Sequence, residues 1–334
     1  MRALVLEGHG GQDRLRFRSD WPEPEPGPGE AVIRVRACSL NYHDVFTRRG
    51  MPGIKVPIPV VPGLDLAGEI EALGAGVEGW SVGDRVLVDP IWPERGLMGE
   101  MLDGGLAEKA LCSAGQLVPI PEGVSFAQAA SLPVAYGTAH RMMFENGYVK
   151  AGETVLILGA SGGVGNACVL LAKAVGAHVI AAASSQEKID RLLALGADEG
   201  LNYIETQFER EIWKRYGKPF RRSYEGGVDV VVNFTGGDTW VPSMKALKRG
   251  GRMLTCGATA GFDPQTDIRY IWTFELRILG SNSWTVEGLK EMMADIAAGR
   301  LDPPIDVELP LENAAEGVRM LEDREVFGKI VVAP

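Results

Sequence analysis

The sequence predicts an α/β fold in which a β-rich first part is followed by a doubly wound parallel sheet. Three observations carry this expectation. Short apolar runs broken by Pro and Gly fill the first third, strands and helices alternate from about Ser125, and a glycine-rich turn at 159–165 joins the first strand of that alternation to its first helix.

In chain order, residues 31–37, 60–61, 67–72 and 85–88 read as strand-like runs. Segment 21–30, WPEPEPGPGE, links two strands and cannot be helical, because Pro22, Pro24, Pro26 and Pro28 fix φ and remove backbone donors. Residues 45–49 suggest a short helix ended by Gly50, with Asn41 or Asp44 as its cap. Residues 90–105, PIWPERGLMGEMLDGG, form an expected ordered loop, which serves as a lid, a subunit contact or a plain surface excursion.

From Ser125 onward the expected strands are 154–159, 178–182, 200–203, 228–234, 252–257 and 277–281. The helices between them are 163–175, 186–195, 208–216 and 240–248, the first two ending at Gly176 and Gly196. Parallel strands need crossover helices, so this segment places a ligand crevice at the carboxyl ends of its strands. The tail adds a helix at 286–298, a strand near 307–309, a helix at 312–321 and a strand at 329–332. The domain boundaries expected from this texture are 1–124, 125–283 and 284–334.

At roughly 150 residues per domain, 334 residues suggest about two domains. A net charge of −10 argues against broad affinity for nucleic acid or an anionic membrane. No run of apolar residues is long enough to span a bilayer, and the opening MRALVLEGHGG meets Glu7 before a signal core could form, so a cytoplasmic location is expected. Cys38, Cys112, Cys168 and Cys256 are far apart and form no CxxC, the pattern of reduced core thiols.

The turn carries the clearest chemistry. A dinucleotide pyrophosphate needs backbone N–H groups at a helix N-terminus with no Cβ in the way. Ala160, Ser161, Gly162, Gly163, Val164 and Gly165 are therefore the expected contacts, although Ala160 departs from strict G-x-G-x-x-G. At the end of the second strand, VIAAASSQEK has no carboxylate to receive a ribose 2′-hydroxyl. Ser184 and Ser185 offer hydroxyls there and Lys188 a cation, so NADPH is the expected cofactor, with one serine also able to cap the next helix.

GLDLAGEIEALGAGVEGWSVGDRV (63–86), GGLAEKALC (104–112), the turn, GGVDVVVNFTGG (226–237) and LKRGGRML (247–254) occur in an order that resembles the medium-chain dehydrogenase/reductase superfamily over nearly the whole chain. The resemblance implies a GroES-like catalytic domain, a Rossmann domain and a C-terminal return to the first, with the active site in the cleft between them. Zinc alcohol dehydrogenases of that superfamily take ligands from C-G-x-C-G-x-D and G-H-E segments. The matching stretches here are Cys38-Ser39-Leu40-Asn41-Tyr42-His43-Asp44 and Gly63-Leu64-Asp65, with Asn41 and Leu64 at ligand positions. A neutral amide is a poor zinc ligand and leucine is none. The chain thus resembles the zinc-free branch of quinone oxidoreductases and enoyl or acryloyl-CoA reductases, the latter also through SLNYHD and GATAGFDPQTDIRYIW (257–272).

Without a Lewis acid, the acceptor must carry its own electron sink, as a quinone, enone or enoyl thioester does. Asn41, Tyr42, His43 and Asp44 form the expected catalytic set, with the first three as donors toward the developing oxyanion and Tyr42, His43 or solvent as proton source. The resemblance places Tyr203 beside the 2′-phosphate, and Asn233, Gly257 and Lys329 complete the expected nucleotide contacts. The basic run 210–222 either holds CoA phosphates or is a solvated helix face and loop. The expected activity is NADPH-dependent reduction of a small electrophile, in a homodimer or homotetramer with no nucleic-acid or membrane partner. The alternatives are a zinc-type alcohol or aldehyde dehydrogenase and a non-catalytic NADPH-binding structural or sensing protein.

Overall fold

A hairpin outside the expected elements opens the chain: β1 (Ala3–Leu6) pairs antiparallel with β2 (Leu15–Arg18). The computed structural model describes all residues, 1–334. After the irregular proline segment come β3 (Glu30–Ser39), β4 (Asp65–Leu73) and β5 (Arg85–Val88). The 90–105 loop contains a minimal hairpin, β6 (Ile91–Trp92) with β7 (Gly96–Leu97), and is followed by β8 (Lys109–Ser113) and β9 (Leu117–Pro119). Residues 60–61 form no strand, only an isolated bridge from Val60 to Leu6. Helix α1 (Tyr42–Arg49) leaves β3 at Asn41 and stops at Gly50, whose φ of +89° suits glycine. Helix α2 (Phe126–Ala130) is capped by the Ser125 side chain, which accepts from the Gln128 N–H.

The chain divides into two units, Met1–Ala135 with Val286–Pro334, and Tyr136–Thr285. The first unit therefore includes α2 and runs past the boundary expected at 124. In the second unit, the π-helical stretch Arg141–Asn146 follows α3 (Thr138–His140). Then come β10 (Thr154–Leu158), α4 (Gly163–Ala174), β11 (His178–Ala183), α5 (Gln186–Ala194), β12 (Glu199–Asn202), α6 (Phe208–Tyr216), β13 (Val228–Val232), α7 (Trp240–Ala246), β14 (Leu247–Thr255), α8 (Ile268–Thr273) and β15 (Arg277–Gly280). All six strands are parallel, in the order β12-β11-β10-β13-β14-β15, so the winding reverses at β10. Val155, Leu156, Ile157, Val179, Ile180, Val230 and Val231 are fully buried, as strands covered by helices on both faces require.

The tail returns to the first unit as α9 (Val286–Ala297), β16 (Ile305–Pro310), α10 (Ala314–Glu322) and β17 (Lys329–Ala333). β17 pairs antiparallel with β3 through Val331–Ser39 and Val332–Cys38, completing the order β16-β17-β3-β4-β5-β9, with β8 also on β3. That pairing brings Lys329 to the residues at the end of β3. The structure is thus an α/β protein with a β-rich unit and a doubly wound parallel sheet, and none of its helices is long and apolar enough to cross a membrane.

Candidate active site

In the second unit, the turn after β10 is shaped by its glycines. Gly159 has φ +63°. A Cβ on Gly165 would collide with the Gly159 carbonyl and the Ala160 backbone, so this glycine permits close packing of helix on strand. At Gly162 a Cβ would meet nothing closer than 3.8 Å, so there the glycine leaves open space above the turn. Gly162 is also the N-cap of α4 and supplies no side-chain cap. The first N–H groups of α4 thus point into that open space with the positive end of the helix dipole behind them, a fit to a dinucleotide pyrophosphate. Ala160 is buried and its carbonyl accepts from Asn166 Nδ2 at 2.7 Å, which fixes the turn; Ser161, Gly163 and Val164 are partly exposed beside Gly162.

Ser184 and Ser185 follow β11 at its carboxyl end, and the Ser185 hydroxyl caps α5 by accepting from Lys188 N–H at 3.3 Å. Tyr203 joins them because β11 and β12 run in register to Ala183–Asn202, and its N–H donates to Ala183 O at 3.2 Å. Ser184, Lys188 and Tyr203 are all half-buried at this edge, and none carries a carboxylate. Gly257 is exposed beyond β14, again at a carboxyl end. Asn233 has a different part from direct contact through its amide. It is completely buried, its Oδ1 accepts from the Thr235 and Gly236 N–H groups (both 2.9 Å), and its Nδ2 donates to Thr239 and Ser243 (3.1 and 2.9 Å). Its side chain shapes the loop after β13.

The first unit holds a buried polar cluster. Lys329 Nζ donates to Asn41 Oδ1 at 2.6 Å and to Leu40 O at 2.9 Å, and lies 3.9 Å from Asp65 Oδ2. Asn41 Nδ2 donates to Asp65 Oδ2 at 2.9 Å and to Ser39 O at 3.3 Å. Asp65, completely buried, also accepts from Val134 N–H at 3.1 Å. Burial pushes the Asp65 carboxyl up to about 7 against the opposing pull of Lys329 and its hydrogen-bond donors. Burial likewise lowers Lys329, opposed by Asp65 and Asp44.

Two of the expected residues have protein partners in this geometry. Lys329, expected among the nucleotide contacts, is buried and spends its ammonium on Asn41 and Leu40. Asn41, expected to donate toward a developing oxyanion, has both amide hydrogens and its carbonyl engaged inside the cluster. Asp44 is also buried: its Oδ2 accepts from Asn41 N–H at 2.7 Å and its Oδ1 from Gly63 N–H at 3.1 Å, so it caps α1 and ties that helix to the 63 turn.

Of the expected catalytic set, Tyr42 and His43 remain partly exposed. Tyr42 packs edge-on against Phe46 with ring centroids 5.1 Å apart. His43 Nε2 meets Glu100 Oε2 at 2.6 Å, and the Glu100 side chain is only 5% exposed. Burial alone would lower the His43 imidazole, but the Glu100 hydrogen bond and charge, with Asp44 and Asp65 behind them, raise it above the ordinary histidine value.

The positions that would matter for zinc are occupied by other chemistry. Leu64 is a buried hydrocarbon. The Cys38 thiol is fully buried, and burial plus the nearby Asp44 and Asp65 push it well above its ordinary value. Sequence reasoning missed Glu100 and the partnership of Asp65 with Lys329. Their only local signal is a lone charge in an apolar context: Asp65 opens β4, and Lys329 opens an otherwise apolar β17.

Residues 27–122 match the alcohol dehydrogenase GroES-like domain, and residues 163–298 match a family described as zinc-binding dehydrogenase. The chain is 33% identical over 322 residues to a quinone oxidoreductase from Rattus norvegicus, covering 95% of this chain and 92% of that one. Among solved structures, an NAD-dependent alcohol dehydrogenase superimposes with a TM-score of 0.92 at 36% identity, covering 100% of both chains. The 2-octenoyl-CoA carboxylase reductase CinF, in complex with NADP and 2-octenoyl-CoA, superimposes with a TM-score of 0.87 at 27% identity, covering 99% of this chain and 87% of that one.

Proposed function

We propose that this chain, which belongs to the medium-chain dehydrogenase/reductase superfamily in its branch of quinone oxidoreductases and enoyl-CoA reductases, is an oxidoreductase that reduces quinones or activated carbon–carbon double bonds with NADPH and without zinc. The observation that carries the zinc-free reading is the Asn41 carboxamide clamped between Lys329 and Asp65, with a buried hydrocarbon, Leu64, preceding Asp65 in the chain. A lysine ammonium already fills the cation's share of that cluster, and neither Asn41 nor Leu64 brings a zinc-binding donor. An acceptor reduced without zinc must delocalise charge over its own carbonyl system.

The nucleotide reading rests on the second unit. The open space over Gly162 and the uncapped N-terminus of α4 bind pyrophosphate, while Ser184, Lys188 and Tyr203 gather hydroxyls and a cation where a 2′-phosphate is received. When bound, the nicotinamide supplies hydride. The protein's own residues orient it, shape the loop after β13 through Asn233, and provide a proton. A small-molecule electrophile as partner, a homodimeric or homotetrameric assembly and a cytoplasmic site of action belong to the same reading.

The test is NADPH oxidation against 1,4-benzoquinone, an enone and crotonyl-CoA, repeated with NADH. Turnover of at least one acceptor with a lower KM for NADPH is the expected result; none of the three being reduced overturns the reading. The likeness to an NAD-dependent alcohol dehydrogenase favours a second reading, alcohol oxidation with NAD, and a parallel assay with NAD and primary and secondary alcohols decides between them.

A further inference from the structure

We propose that His43 is the proton donor of this reduction and that Glu100, presented by the 90–105 loop, is the positioning residue that holds its imidazole in place. The proposal rests on the reductase reading above and adds to it the source of the proton and the role of the loop.

The loop is built to deliver Glu100. Gly104 and Gly105 N–H donate to Val61 O and Gly63 O at 2.7 and 2.8 Å, Leu106 N–H donates to Pro62 O at 3.1 Å, and Asp103 Oδ1 accepts from Val61 N–H at 2.8 Å. Gly99, at φ +75°, packs so closely on Gly63 that a Cβ would lie 2.7 Å from its carbonyl carbon. Gly63 in turn donates to Asp44, the cap of the helix that carries His43. Loop, 63 turn and α1 therefore form one hydrogen-bonded block, and Glu100 enters it nearly buried, with Oε2 2.6 Å from His43 Nε2.

Glu100 on Nε2 fixes the ring and leaves Nδ1, which makes no bond to the protein, as the delivering nitrogen. The charged groups acting on His43 are Glu100 from the loop, hydrogen-bonded to it, and through space Asp44 from α1 and Asp65 from β4; Lys329 and Cys38 in turn interact with the two aspartates. The three carboxyl groups favour the imidazolium against burial.

In the reaction, the acceptor takes a hydride with its two electrons, either at the β-carbon of an enone or enoyl thioester, whose π pair shifts to the carbonyl oxygen, or at one carbonyl oxygen of a quinone, whose C=O π pair moves through the aromatising ring to the far oxygen. The resulting enolate or hydroquinone anion then bonds the Nδ1 proton as the N–H pair stays on nitrogen. Neutral His43, a quarter exposed, regains a proton from solvent. The balance is one hydride and one proton per acceptor, with NADPH leaving as NADP⁺.

Two measurements test this on the full chain. The first titrates the imidazoles by NMR in the absence of any nucleotide, with His43→Gln identifying the His43 resonance among the four histidines. His43 is expected to titrate above the ordinary histidine value and to fall back when Glu100→Gln removes the carboxylate. The second is the pH profile of kcat on an acceptor the native protein reduces. His43→Gln is expected to lose about 10²- to 10⁴-fold in kcat together with the alkaline limb. Glu100→Gln is expected to move that limb to lower pH and recover activity on acidification, which a purely structural role would not produce. Retention of the native rate and pH profile in His43→Gln, or an unchanged His43 titration in Glu100→Gln, overturns the proposal while leaving the reductase reading intact. Failure of the native protein on every acceptor overturns the reading itself, and the proposal with it.

Discussion

Lys329 Nζ and Asn41 Oδ1, separated by 288 residues in sequence, are joined by a 2.6 Å hydrogen bond in the interior of the first unit. Because β17 pairs with β3, the C-terminal strand locks the polypeptide that leads into α1. Replacing Lys329 by Met strands the Asn41 and Leu40 carbonyl oxygens and removes the counter-charge of Asp65. Losing one partner of a buried charge pair costs about 3–5 kcal/mol, so the melting temperature of Lys329→Met should fall by roughly 10 °C. The double variant with Asp65→Asn should recover part of the loss. A single variant that melts like the native protein would show the ammonium to be dispensable.

Asp65 also gives stability a pH dependence of definite sign. Its folded carboxyl sits at about 7, above the ordinary aspartate value near 3.9, so the folded state holds this proton more tightly than the unfolded chain. Its contribution is complete below about pH 4 and is lost as pH rises through about 7. The stability difference between native protein and Asp65→Asn, followed by denaturant unfolding across that window, should decline as pH rises. A flat difference would place the carboxyl at an ordinary value.

Two glycines of the nucleotide turn should respond oppositely. Gly162→Ala meets open space at an ordinary φ of −82°, so the protein should keep its melting temperature while NADPH binding, followed by nucleotide fluorescence, weakens tenfold or more. Gly165→Ala collides with backbone and should cost about 1–3 kcal/mol of stability. Unchanged nucleotide affinity in Gly162→Ala would detach the turn from phosphate binding.

The basic run 210–222 should not matter to a CoA substrate. The last turn of α6 and the loop after it precede β13, so Lys214, Arg215, Arg221 and Arg222 lie at the amino ends of the strands, opposite the carboxyl-end crevice. Arg215 is already paired with Glu199 and Glu211. The double variant Arg221→Glu/Arg222→Glu should leave KM for an acyl-CoA thioester within about twofold; a tenfold rise would place phosphates on this loop.

The second unit was largely legible in the sequence because its signals are local. Strand, turn and helix around Gly159–Gly165 lie within a few residues, and α6 runs from Phe208 to Tyr216 as its periodicity predicts. The candidate site in the first unit was legible only in part. Tyr42 and His43 stand out in the SLNYHD segment as hydrogen-bond donors, but Lys329 finds Asn41 through a strand pairing across the whole chain, and Glu100 reaches His43 from a loop without periodicity. The π-helical turns at Arg141–Asn146 and the β1–β2 hairpin were hidden for related reasons: π turns lack a distinctive period, and the hairpin is joined by a long irregular link.

The claim that hydride is delivered here without a Lewis acid is tested most directly by assaying NADPH-dependent acceptor reduction on protein dialysed against a strong chelator, with zinc quantified in the same sample. Full activity at far less than one zinc per chain is the expected result. Activity that disappears on chelation and returns with stoichiometric zinc would contradict it.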